Sequence, residues 1–192
     1  MKAIETVYAG YRFRSRLEAR WAVFFERMGI PFEYEKEGYE LPWLTTDGTF
    51  FYLPDFWIPS WRAWVEIKGE DPTEEELEKC QSLRDSSPGR KGKKVIMFVG
   101  DPMTENCRFF RCTPDDESPF YVDVPFILTQ CNNCEMVWAT KTEFDGGFTI
   151  GAGKRCPDVG GADCWQRHER TPLLTYAMGA ARKAQFNGGN NV

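Results

Sequence analysis

The residues best able to do chemistry are Asp55, Glu66 and Lys68, set in Pro54-Asp55-Phe56 and Trp64-Val65-Glu66-Ile67-Lys68-Gly69. Side chains alternate faces along a strand, so Glu66 and Lys68 share one face while Val65 and Ile67 take the other. Residues 49–57 are β-branched and aromatic, and Pro59-Ser60 breaks them from the next run. That pattern predicts a hairpin that brings Asp55 back beside Glu66. Pro54 cannot donate a ladder hydrogen bond, so it belongs at an edge or a bulge, and Asp55 projects from that local break. Two converging carboxylates repel unless a cation lies between them, and hard oxygen ligands suit magnesium, with manganese as its substitute. Such an ion polarises a phosphoryl oxygen and acidifies bound water. Lys68, on the same face, positions the attacking water and offsets charge growing on the phosphate.

The elements around these residues have the order such a site needs. Leu17, Trp21, Phe24 or Phe25 and Met28 recur at helical spacing and Gly29-Ile30-Pro31 ends the run, which predicts a first helix near 15–28. Phe32 and Tyr34 alternate with Glu33 and Glu35 as in a half-exposed strand. After the hairpin, Asp71-Pro72-Thr73-Glu74 has a cap, a first-turn proline and an acid at the third helical position, opening a second helix that runs to about Asp85. Val95-Ile96-Met97-Phe98-Val99 is a continuous apolar run, as in a strand buried on both faces. The sum is α-β-β-β-α-β, with a right-handed parallel crossover and therefore a mixed sheet.

In Pro54-Asp55 and Glu66-Ile67-Lys68 the chain resembles the PD-(D/E)xK nuclease superfamily over roughly residues 1–100. The resemblance implies an α/β fold with a restriction-endonuclease-like core. It also implies a catalytic set of Glu18, Asp55, Glu66 and Lys68. In that set Asp55 and Glu66 bind the metal, Glu18 binds metal or water from the preceding helix, and Lys68 activates water. The small phage and mobile-element members, similar to Holliday-junction resolvases and transposon endonuclease subunits, are nearest in character. The plainer readings stand beside it: Asp followed by Glu-x-Lys arises by chance, and Ser15-Arg16-Leu17-Glu18 is also a capping box.

Cys131-Asn132-Asn133-Cys134, followed by Cys156 and Cys164 after two expected short strands at 136–140 and 147–150, resembles a zinc ribbon. Two thiolates two residues apart fit one tight turn around a tetrahedral ion, and a second pair completes four ligands. The second pair is spaced wider than usual, so His168 is an alternative to Cys156 or Cys164, and an iron–sulfur cluster also takes four cysteines. Residues 1–10 lack the apolar run of a secretory signal, which predicts reduced thiols and a cytoplasmic location, that of the host cell if the gene is a phage's. His168 is the only histidine. A Ser-His or Cys-His nucleophile elsewhere in the chain is therefore excluded, and hydrolysis must rest on metal and carboxylates.

Aromatic residues make up 15% of the 192 and hydrophobic residues 42%, enough for a sheet-centred core, and no run is long enough to span a membrane. The net charge of −5 argues against broad electrostatic capture of nucleic acid. Its distribution still leaves basic clusters flanking the site. Arg12, Arg14, Arg16, Arg90, Lys91 and Lys93 are the candidate phosphate contacts. The expected organisation is a nuclease domain over 1–113, an acidic, proline-containing linker over 114–125, a zinc-ribbon-like domain over 126–170, and a terminal helix with a frayed tail over 171–192. Function follows as metal-dependent hydrolysis of DNA, with a homodimer suited to cutting both strands. An RNA-cleaving enzyme and a non-catalytic nucleic-acid- or protein-binding module, such as a counter-defence protein, remain open alternatives.

Overall fold

The structure, a computed structural model, describes residues 4–86, 93–102, 108–112, 120–122, 126–131, 137–141, 147–149, 168–169 and 171–186. It is an α/β protein with a mixed sheet and, among the described residues, three helices. Among the described residues the main sheet has six strands. In spatial order they are β10 (Phe120–Val122), β9 (Arg108–Cys112), β8 (Lys94–Val99), β7 (Ala63–Lys68), β6 (Phe56–Ile58) and β3 (Glu33–Tyr34). Among the described strands only β7 and β8 run parallel, with Glu66 level with Met97 and Lys68 level with Val99. That one parallel pair needs a crossover, which α2 (Glu74–Asp85) supplies.

Helix α1 (Arg16–Arg27) begins where Ser15 accepts the Glu18 amide. It ends in a glycine-terminated cap: Gly29, at φ 66°, donates to Glu26, and Ile30 donates to Phe25. This double bond pattern satisfies the last carbonyls of a helix, and glycine takes the left-handed conformation without a Cβ penalty. The strand periodicity divides the sheet into two faces. Val65, Ile67, Phe56, Ile58, Ile96 and Phe98 pack under Trp21, Phe24 and Phe25 of α1. On the other face Trp64, Val95, Met97 and Val99 meet Cys80 and Leu83 of α2.

Several expectations shift. The run 49–57 is two strands in two sheets: β5 (Thr49–Tyr52) pairs with β4 (Tyr39–Pro42), and β6 pairs with β7. The break falls at Pro54, which has no amide hydrogen, and at Asp55, whose carbonyl accepts from Glu35 rather than from β7. Ahead of the first helix, residues 11–13 form β2 (Tyr11–Phe13), hairpinned to β1 (Thr6–Tyr8) through Ala9 and Gly10, both at positive φ. The second helix starts two residues later than expected. Thr73 is its cap, because Glu76 lies three residues on and completes a reciprocal box: Thr73 Oγ1 accepts the Glu76 amide and Glu76 accepts the Thr73 amide. Thr73→Ala is expected to cost about 1 kcal/mol, read as a melting temperature lower by about 2–4 °C.

Described residues of the C-terminal third pack with the first part of the chain. The main sheet runs past residue 113 into the expected linker, since β10 lies within 114–125 and pairs with β9. A second sheet holds β13 (Gly147–Thr149), β12 (Val137–Lys141), β11 (Phe126–Cys131) and β14 (His168–Glu169) in that order. Leu128 and Val137 from it, with Leu174, Ala177, Met178 and Ala181 of α3 (Pro172–Lys183), join the same apolar core as α1. The expected frayed tail beyond residue 186 lies outside the described residues.

Candidate active site

Register places the acids. Phe56 pairs with Val65, so Asp55 stands one residue beyond the last pair of β6 and β7, level with Glu66. With the ladder broken there, the Ile67 amide donates to Asp55 Oδ2 at 2.8 Å. Asp55 is thus held by a backbone amide of β7 through its side chain. Its Oδ1 accepts from Arg14 Nη2 at 2.6 Å, and Arg14 Nε donates to Glu35 Oε1 at 2.8 Å.

Glu18 approaches from the first turn of α1. Its Oε2 accepts from the Arg14 amide at 3.1 Å and the Tyr34 hydroxyl at 2.6 Å, and its Oε1 from Ser15 Oγ at 2.7 Å. The amide it takes is that of Arg14, ahead of the Ser15 cap, so the carboxylate binds β2 to the helix. Burial, the Glu18 hydrogen bond and the Glu18 charge all raise the Tyr34 hydroxyl pKa, which keeps it a proton donor.

Glu66, buried on the α2 side, accepts from Tyr52 Oη at 3.0 Å and from Lys68 Nζ at 2.9 Å. Lys68 Nζ also lies 2.8 Å from Glu76 Oε1. Burial works against the ammonium charge, yet Glu66 and Glu76 together raise its pKa above the ordinary lysine value. Glu76 is held below the usual carboxylate range despite its burial, by Lys68 and by the capping hydrogen bonds of Thr73.

Electrostatics tie the acids together. Burial, then the charge of Glu66, then that of Glu18 push the Asp55 carboxyl well above the usual carboxylate range, against the pull of Arg14 and the Ile67 amide. Asp55 therefore feels both other acids, one from each side of the sheet. Among the described residues no three acidic, cysteine or histidine side chains form a ready-made metal cluster. Instead each central carboxylate has a cation: Arg14 on Asp55 and Lys68 on Glu66. A cleft of about 210 Å³ opens onto this network, lined by residues that include Arg14, Phe51, Glu66, Lys68 and Lys79.

The structure thus brings together Glu18, Asp55, Glu66, Lys68 and Arg14. Among the described residues, it does not gather Arg12, Arg16 or Lys93 around them. Arg12 is exposed and pairs with Glu5 at 3.6 Å, and Arg16 is exposed at the start of α1. Lys93 donates to Ser86 Oγ at 3.0 Å, with its ammonium 4.1 Å from the centre of the Tyr39 ring. Arg90 and Lys91 lie outside the described residues, as do Cys134, Cys156 and Cys164. Cys131 ends β11, where its backbone is in register with His168. Glu76, Tyr52, Tyr34 and Lys79 were not singled out from the sequence. Glu76 alone had a readable signal, the threonine three residues before it. Compared with protein-family models, with curated proteins and with solved structures, the chain matches none of them.

Proposed function

We propose that this chain is a divalent-metal-dependent nuclease that hydrolyses phosphodiester bonds in DNA, of the kind encoded by phages and mobile elements. The observation that carries this reading is that buried Asp55 lies near enough to Glu66 and Glu18 to feel both charges, with Lys68 paired to Glu66. The order α1, β3, β6, β7, α2, β8, with β7 and β8 parallel, supports a restriction-endonuclease-like core.

The donor set fits a hard divalent ion. It offers only oxygen and it is buried, and burial first, then the charges of Glu66 and Glu18, raises the Asp55 pKa. Asp55 and Glu66 would hold the ion, with Glu18 behind them. When bound, a magnesium ion supplies Lewis acidity toward the phosphoryl oxygen and lowers the pKa of its water. Lys68 keeps its proton, so it donates hydrogen bonds to the attacking water and the phosphate rather than acting as a base. Arg14, half-exposed and bonded to Glu35 and Asp55, would hold a phosphate oxygen. Cys131, Cys134, Cys156 and Cys164 are assigned to a structural zinc on their spacing.

A non-catalytic binding module on the same fold is the second reading, favoured by the cationic partner that each central carboxylate already has. Incubation of the purified chain with labelled single-stranded, duplex and branched DNA and with RNA, each with magnesium or chelator, separates these readings. Magnesium-dependent DNA cleavage is expected. Cleavage of RNA alone moves the substrate, and no cleavage of any substrate removes the enzyme.

A further inference from the structure

Strand β5 carries one large apolar side chain that packing does not require. Phe51 is 71% exposed. Its neighbours turn inward, Phe50 against Trp43 with ring centres 4.2 Å apart and Tyr52 into the core. A lone exposed apolar residue is ordinary on a protein surface, but two observations set Phe51 apart.

The first is its seat. A Cβ on Gly38 would overlap the outer edge of the Phe51 ring. Gly38 is not among the glycines at positive φ, so its backbone has no need of glycine and the ring does. The second is its position on the cleft that Glu66, Lys68, Arg14 and Lys79 also line. An aromatic face held beside cations is the combination that binds single-stranded nucleic acid, where cations track the backbone and rings stack on bases. At a net charge of −5 the chain cannot rely on phosphate attraction alone, so stacking must supply a larger share of affinity.

We infer that Phe51 is a stacking platform for an unpaired base of the strand whose phosphate reaches Lys68, so that the site acts on single-stranded or locally unpaired nucleic acid. This rests on the nuclease reading above. A base inside a duplex is stacked on both faces and cannot meet the ring, so the platform discriminates against intact duplex.

The test is fluorescence anisotropy of a labelled single-stranded dodecamer and of its duplex, with calcium in place of magnesium. Phe51→Ala and Phe51→Leu are expected to weaken single-strand binding by about tenfold or more and to leave duplex binding unchanged. Phe51→Trp keeps or tightens it. Gly38→Ala, which displaces the ring without removing it, behaves like Phe51→Ala. A 2-aminopurine base in the oligomer is quenched by the wild-type chain and not by Phe51→Leu. Equal losses on single strand and duplex, or wild-type affinity in Phe51→Leu, would overturn the inference. Failure of the nuclease reading is separate: it is loss of magnesium-dependent cleavage on every substrate by the wild-type chain.

Discussion

Asp55→Asn is expected to abolish magnesium-dependent cleavage, by about a thousandfold, while leaving the protein at pH 8 as stable as the wild type or more so. Function and stability part because of what surrounds the carboxylate. Burial first, then Glu66 and Glu18, raise the Asp55 pKa in the folded state. A carboxyl whose folded pKa is raised contributes stability that is complete below its unfolded value, about 4. That contribution is lost as pH rises through the folded value. At pH 8 the carboxyl therefore works against folding, and an amide does not. The asparagine carbonyl can keep the Ile67 amide, and the half-exposed Arg14 retains Glu35. Thermal melts from pH 5 to pH 8 should show the variant's advantage growing with pH. Magnesium should raise the wild-type midpoint and not the variant's, since only a ligand that binds the folded state stabilises it. Glu66→Gln should lose cleavage to a similar extent. A variant that cleaves normally, or one that melts several degrees lower at pH 8 than at pH 5 relative to wild type, would refute this account.

The parts of the site that lie within one element were legible in the sequence. Strand parity alone put Glu66 and Lys68 opposite Val65 and Ile67, and the apolar run ending in Val99 marked the neighbouring strand. What the sequence hid depends on competition between partners. Residues 49–57 read as one strand because propensity is continuous across Pro54, whereas pairing is decided by which strand takes each backbone group, and β4 takes the first half. The β1–β2 hairpin turns through Ala9 at φ 49° with Gly10, a turn without the usual asparagine or aspartate signal. Asp71 and Thr73 both precede the second helix, and only the reciprocal bond from Glu76 chooses between them. Arg14 was expected on a phosphate, and its guanidinium lies on Asp55 and Glu35, which come from distant parts of the chain. The segment 114–125 looked like a linker from its acids and prolines, and the short apolar run Phe120–Val122 within it pairs all the same.

Trp21→Ala is expected to be the most damaging core substitution, at roughly 3–5 kcal/mol, and its effect should reach the site. Trp21 has no exposed surface, stacks on Phe98 with ring centres 4.4 Å apart, and meets Phe24 and Phe25 at 5.5 and 5.7 Å. Truncation empties the space between α1 and the sheet. The indole also does a second thing: its Nε1 donates to the Gly100 carbonyl at 3.0 Å, while the Gly100 amide donates to the Lys68 carbonyl at 2.8 Å. Helix α1, which carries Glu18, is thereby tied to the residue that carries the ammonium. Trp21→Phe separates the two contributions, since it keeps most of the packing and drops the hydrogen bond, at about 1 kcal/mol. Urea denaturation of both variants measures the difference. If Trp21→Ala and Trp21→Phe cost the same, the lost hydrogen bond and not the void accounts for the damage. If Trp21→Phe costs nothing, the link from α1 through Gly100 to Lys68 carries no energy, and Glu18 must be held in place by Tyr34, Ser15 and the Arg14 amide alone.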